Sequence, residues 1–300
     1  MASLENVTPG SSYPGLLKTE NNTGLTAGFQ QISDGSGNLT PLRISTCFVT
    51  NYGNGGVTSN TVFGDKSLQA NTSGVSLSAF GHSSLKCNTT GNNNTAVGAN
   101  SLFANTTGSG LSALGNDALK CNTIGNYNNA IGWNAMFSNT SGSNNEAIGV
   151  NALYNNTSGG CNTAIGQGAM YYNITGGANI AVGRSSLEAN TIGNENIAIG
   201  RQALAANVTG SQNVAIGRSA MVGNTGGSQN TAIGWATNSG NFSCSVILGA
   251  CATATTNNQF VVGATGAFNA GAVAVGTISP THTWTVNING QNYRIPLIPV

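Results

Sequence analysis

Residues 162–166 read Asn-Thr-Ala-Ile-Gly, residues 196–200 read Asn-Ile-Ala-Ile-Gly, and residues 230–234 return to Asn-Thr-Ala-Ile-Gly. Following the closing Gly outward in both directions places it at 64, 81, 98, 115, 132, 149, 166, 183, 200, 217 and 234, always 17 residues apart. Eleven anchors without one insertion define a repeat, and a repeat is read before any single residue. With that Gly as position zero, minus one is always large and apolar, from Phe63 to Ile233, and minus two is Val62 and then Ala throughout. Plus four is Leu or Met from Leu68 to Met221, plus seven is Asn from Asn71 to Asn241, and plus ten is Gly from Gly74 to Gly227. A further Asn column at plus thirteen holds in eight copies, Asn94, Asn128, Asn162 and Asn230 among them.

A unit this short cannot hold a helix pair, and its fixed Gly and Asn-Thr-x-Gly phrases interrupt any useful helical run. One turn of a β-coil per repeat remains. The expected fold is all-β, a parallel β-roll or β-solenoid with 17-residue coils, each of two short strands of about four or five residues joined by tight turns. Asn139 and Asn156 at plus seven, with Gly142 and Gly159 at plus ten, are the expected turn residues, since Asn and Gly adopt positive φ cheaply. Stacked at ~4.8 Å, the coils would form a rod roughly 50 Å long.

Neighbouring residues of a strand point to opposite faces. Ala at minus two and the large residue at minus one therefore cannot both fill one coil interior. One of the two faces would form a continuous outer stripe, which on a soluble chain reads as an interface. Ile131, Ile148, Ile165, Val182, Ile199, Ile216 and Ile233, with Leu153, Leu187 and Leu204 of the plus-four column, are the expected coil or interface core. Self-association about an axis along the rod would bury the stripe, and a homotrimer is the expected state.

Composition supports this and excludes other classes. The chain has 43 Gly and 44 Asn in 300 residues, yet only 9 basic and 8 acidic residues. There is no basic footprint for nucleic acid. An apolar share of 39% is too high for a disordered chain. No apolar stretch is long enough to cross a bilayer as a helix, so membrane insertion is not expected. Residues Met1 to Gly10 have neither a basic start nor an apolar core, so no secretory signal is expected. Six cysteines, Cys47, Cys87, Cys121, Cys161, Cys244 and Cys251, form no CxxC pair and are expected to be reduced, small, buried residues.

The Asn-x-Ala-Ile-Gly phrase resembles the head repeats of YadA-like trimeric autotransporter adhesins, over about residues 60 to 276. The resemblance implies left-handed parallel β-rolls in a trimer, with the coils beside the threefold axis. The family's units are shorter than the 17 residues found here, and the family carries a signal peptide and a membrane-anchoring barrel, neither of which is expected in this sequence. The phrase is also similar to repeats of bacteriophage and other virus fibres. Residues 32–45, Ile-Ser-Asp-Gly-Ser-Gly-Asn-Leu-Thr-Pro-Leu-Arg-Ile-Ser, are similar to attachment-side segments of such fibres.

Four regions are expected. Residues 1–58 form an attachment arm, with one or two strands around Leu42, Ile44, Cys47 and Val49, and residues 59–243 form the regular shaft. Residues 244–279 hold shortened coils closing at Gly249, Gly263 and Gly276. Residues 280–300 form a capping hairpin around Asn289-Gly290, the strongest short hairpin signal.

Chemistry is sparse. Glu146, Glu188 and Glu195 stand at different phases of the repeat and form no carboxylate pair of the glycosidase kind. With only His82 and His282, neither a metal site nor a triad is expected. No catalytic, metal-binding or cofactor-binding residues are assigned, no cofactor is expected, and the chain reads as a non-enzyme. The sequons at plus seven, such as Asn71-Thr-Ser and Asn139-Thr-Ser, read as turns rather than glycan acceptors.

Two surface columns remain. Arg184, Arg201 and Arg218 share position plus one with Trp133 and Trp235, a candidate contact for an anionic glycan or receptor. Against that, Glu188 and Glu195 of a neighbouring chain could neutralise the arginines. Phe103, Phe137, Tyr154 and Tyr171 at plus five suit either sugar rings or an interchain seam.

The expected function is a structural virion fibre of tail or head, assembled in the host cytoplasm. Its arm would join other virion proteins and its far end would meet a host-surface glycan or receptor. The alternatives are a cell-surface trimeric adhesin head anchored by other chains, and an ice-binding solenoid suggested by Thr at plus eight in eight of eleven copies.

Overall fold

The computed structural model describes residues 59–263 throughout and, outside them, the backbone of strands β1 (Lys18–Thr19), β2 (Phe29–Ser33), β3 (Leu39–Ser45), β17 (Thr283–Ile288) and β18 (Gln291–Pro296). β1, β2 and β3 form an antiparallel sheet in that order. Leu42 and Ile44 lie in β3, while Cys47 and Val49 lie outside the described residues. β17 pairs antiparallel with β18, from Thr283 opposite Pro296 to Ile288 opposite Gln291. The connecting Asn289-Gly290 is outside the described residues.

Residues 59–263 are a parallel β-solenoid. Thirteen strands, β4 (Thr61–Phe63) to β16 (Phe260–Val262), stack in sequence order into one sheet. The register is one coil throughout: Ala164 lies opposite Ala147 on one side and Ala181 on the other. At ~4.8 Å per strand the sheet spans roughly 60 Å.

Each coil has one strand of three residues, not two of four or five. The rest is a chain of turns held to the next coil as regularly as a strand would be. The Leu68 N–H donates to Ser84 O and the Ala70 N–H to Lys86 O, while the Ser83 N–H donates back to Asp65 O. These segments are not strands because left-handed residues recur at plus two, plus four and plus twelve. At plus four, Leu68 through Met221 all have φ between +47° and +52°. Such a conformation costs a non-glycine residue about 1 kcal/mol or more. It turns the side chain inward, so that plus three (Ala152, for example) and plus four (Leu153) are both buried although adjacent.

The asparagines work differently from the expected turn role. Asn139 and Asn156 are absent from the positive-φ residues and are fully buried, as is the rest of the column except Asn71 and Asn241. They form a ladder: the Asn156 Nδ2 donates to Asn139 Oδ1 of the previous coil at 2.8 Å and to Gly159 O at 2.9 Å. The second Asn column runs alongside, with Asn145 Nδ2 donating to the same Gly159 O at 2.8 Å. Buried amides are tolerated because their donors and acceptors are matched coil to coil.

The two Gly columns answer to close approach. Gly at zero has φ between +125° and +149° from Gly64 to Gly234, and a Cβ there would strike the next coil's backbone. Gly142 and Gly159, at plus ten, have no positive φ, but a Cβ on Gly142 would lie 2.4 Å from Gly159 O and 2.5 Å from Asn139 Oδ1.

The first two shortened coils, of 15 and 14 residues, stay in register, with Thr231 opposite Val246 and Val246 opposite Phe260. In regular coils the plus-eight carbonyl receives a cluster of donors: Thr106 O accepts from the N–H groups of Thr89, Thr90 and Gly91 and from Thr89 Oγ1. Where the coil shortens, Asn241 Oδ1 replaces that carbonyl and accepts from Thr225 N, Thr225 Oγ1, Gly226 N and Gly227 N. Gly276 lies outside the described residues.

Candidate interaction surfaces

The three-residue strands sort the apolar columns. The minus-two residue points inward and is buried from Val62 through Ala79 to Ala232 and on to Ile247, with Leu153, Leu187 and Leu204 packed in the same core. The minus-one residues point outward. Ile131, Ile165, Ile199, Ile216 and Ile233 are exposed, and Ile148 and Val182 half-buried. The isoleucines are therefore not part of the coil core; within one chain they form an outer stripe. It begins at Phe63, 62% exposed, and continues past Ile233 to Leu248 and Val262. At minus three the same face carries Ser, Thr, Asn and Glu in the first coils, then Ile180, Ile197 and Val214. The stripe thus widens toward the C-terminal half.

Arg184, Arg201, Arg218, Trp133 and Trp235 line up at plus one, all exposed, one Gly removed from the apolar stripe. Among the described residues the ion pairs are His82 with Asp65 at 3.7 Å and Lys120 with Asp117 at 3.1 Å. Neither involves an arginine. Glu195 instead accepts from Gln212 Nε2 at 3.0 Å.

The plus-five side chains stack along the rod within one chain. Phe137, Tyr154 and Tyr171 lie ring on ring, with centroids 5.1 Å apart and planes within 8°. Lys86 caps Phe103 and Lys120 caps Phe137, each ammonium 5.2 Å from the ring centre. Such cation–π contacts contribute about 0.5–1 kcal/mol at exposed sites. The inner ring faces are occupied by neighbours, which leaves edges for any other contact. Burial, and then the adjacent Tyr154 and Tyr172 phenols, push the Tyr171 hydroxyl above its ordinary pKa. Beside the stack lies a groove of about 550 Å³, lined by Ser138, Asn155, Thr157, Tyr172, Ile174, Ala189, Thr191 and Val208.

The cysteines depart from expectation. Cys161 and Cys244 are exposed, and Cys87, Cys121 and Cys251 half-buried; all five are free thiols, while Cys47 is outside the described residues. Cys87 and Cys121 stand at plus six, immediately before the buried Asn, where the side chain faces out. Burial raises the Cys121 thiol pKa; Lys120 partly opposes this and Asp117 adds to it. The asparagine of the Asn139 sequon is buried with its amide committed to Asn122 Oδ1 and Gly142 O. Among the described residues no group of three or more His, Cys, Asp or Glu could hold a metal ion, and no helix is long and apolar enough to cross a membrane.

No family model matches the chain, and neither the curated proteins nor the solved structures contain a match to it.

Proposed function

We propose that this chain is a non-enzymatic structural fibre of a virion, built as a homotrimer of β-solenoids. Residues 1–58 join it to other virion proteins, residues 59–243 form the stiff shaft, the shortened coils of residues 244–279 finish it, and residues 280–300 close the end that meets a host-surface glycan or receptor. The observation that carries this reading is the outer stripe at minus one: thirteen large apolar side chains in one unbroken line on a rod. An apolar strip of that length is unstable against water and is best covered by copies of itself, because identical chains share one repeat spacing. The free chain would be assembled in the host cytoplasm.

Sedimentation of the soluble protein tests the assembly. A mass of three chains is expected. I165D with I199D should release monomers that keep their β-solenoid circular dichroism, since both side chains lie outside the coil. A monomeric wild type overturns the proposal. Immunogold labelling of purified particles separates a virion fibre from the second reading, a cell-surface adhesin head anchored by other chains, which would label cell envelopes instead. The ice-binding alternative is weakened by the plus-eight threonines, whose hydroxyls donate to the next coil, as Thr140 Oγ1 does to Thr157 O at 3.0 Å.

A further inference from the structure

Three of the chain's nine basic residues, Arg184, Arg201 and Arg218, occupy the same position of three successive coils. The backbone fixes their spacing. The Gln202 N–H donates to Arg184 O at 3.0 Å, the Ser219 N–H to Arg201 O at 2.8 Å, and the Ala236 N–H to Arg218 O at 3.0 Å. The arginines therefore repeat at the coil spacing, ~4.8 Å, the shortest interval the fold allows. Like charges on adjacent rungs repel one another. No carboxylate among the described residues pairs with any of the three. Glu188 and Glu195 of the same region stand at plus five and plus twelve, and Glu195 is hydrogen-bonded to Gln212. Gln167 precedes the arginines in the column and exposed Trp235 follows them.

We infer that this column is a binding strip for a linear acidic polysaccharide that carries one carboxylate on every sugar. An extended 1,4-linked chain advances by about one coil spacing per ring, so a carboxylate on every sugar matches the charge density of the arginine column. The long exposed Arg side chains reach carboxylates that alternate from side to side of the polymer. The planar guanidinium accepts a carboxylate in a two-pronged hydrogen bond, which the point charge of Lys does not reproduce. Trp235 offers an aromatic surface to the apolar face of the next sugar, and Gln167 offers an amide to hydroxyls at the other end. The backbone is ordered before the ligand arrives, so the ordering cost of binding is confined to the exposed Arg side chains. A nucleic acid strand presents its charges at a different spacing and on a more flexible backbone. The inference rests on the proposed role as a surface-binding rod, but its geometry is that of one chain.

The test uses the intact protein and calorimetric titration with oligomers of equal length. Polymannuronate, with a carboxylate on each sugar, should bind at least about tenfold tighter than hyaluronan, which carries one on alternate sugars, and neutral dextran should give no signal. Polymannuronate affinity should fall with added salt, with a log–log slope of roughly −2 to −3 for three neutralised contacts. R184Q with R201Q and R218Q should remove binding while leaving circular dichroism and sedimentation unchanged, because Gln167 already occupies this column. The corresponding triple Arg→Lys variant should lose most of the affinity. Binding that survives the Gln variant, equal binding of dextran, or equal binding of a single-stranded oligodeoxynucleotide would overturn the inference. So would dissociation of the oligomer by the Gln variant, which would assign the arginines to acidic partners on a neighbouring chain. Sedimentation of the wild type reads the trimer independently of these titrations.

Discussion

Replacing Asn156 in the middle of the buried ladder separates hydrogen bonding from packing. Its Nδ2 donates to Asn139 Oδ1 at 2.8 Å and to Gly159 O at 2.9 Å, and its Oδ1 accepts from Asn173 Nδ2 at 2.8 Å. N156A removes all three. Gly159 O keeps Asn145 Nδ2, but Asn139 Oδ1 and one hydrogen of Asn173 Nδ2 are left buried and unmatched. At about 1–3 kcal/mol for each unsatisfied group, the loss is about 2–6 kcal/mol. N156D preserves the shape but replaces the donating nitrogen with an oxygen that faces two acceptor oxygens, Asn139 Oδ1 and Gly159 O. Its ionised form is excluded there, so the introduced carboxyl titrates higher in the folded chain than its unfolded value of about 3.9. Stability should then be greatest below about pH 4 and fall as the pH rises, by about 1.4 kcal/mol per unit, until the folded-state pKa is passed. Urea titrations followed by circular dichroism from pH 3.5 to pH 8 measure both effects, with amide exchange locating the damage. A N156D protein as stable as wild type at pH 7, or one that gains stability on raising the pH, would refute the ladder as the element joining the coils.

Three further outcomes can be measured. G142A should destabilise by roughly 3 kcal/mol or more in the same titration, because the new methyl meets Gly159 O and Asn139 Oδ1. G168N should change stability by no more than about 1 kcal/mol: φ +65° disfavours a side chain, but Asn tolerates it best, the nearest atom to a new Cβ is Ser185 Oγ at 3.7 Å, and Asn134 and Asn151 hold the same position in earlier coils. In iodoacetamide labelling read by mass spectrometry near pH 8, Cys121 should react more slowly than exposed Cys161, since burial holds its thiol protonated, and a higher pH should narrow the gap.

The period and its columns were legible because each coil makes the same contacts, so selection on one position is repeated at fixed intervals. Alternation along a strand correctly separated Ala164 from Ile165, though periodicity alone did not say which faced inward. The conformation of plus four was not legible. Leu and Met are poor indicators of positive φ, and only stacking on the neighbouring coil holds Leu153 there at +51°. Asn misled for the opposite reason. It commonly signals a turn, but at Asn139 and Asn156 its matched donor and acceptor serve an interior ladder. The positions of Cys87 and Cys121 were not legible because apolar character usually accompanies burial, while plus six faces out. The arginine column was visible as a sequence pattern; what it lacked was the fixed spacing supplied by the hydrogen bonds at Gln202, Ser219 and Ala236.

The uniform register has a consequence for how such a rod can change in evolution. Adding or deleting one whole 17-residue unit between Gly81 and Gly217 leaves every ladder joined and every face aligned, and alters only reach, in steps of ~4.8 Å. Any other insertion would shift one coil's chemistry against the next and sever two Asn ladders together. The shortening at Asn241 shows what an exception requires: a side-chain amide oxygen placed where a backbone carbonyl has been lost. The molecule is in that sense a ruler, with length and surface chemistry on separate scales. A lineage can extend the shaft without disturbing what the shaft displays.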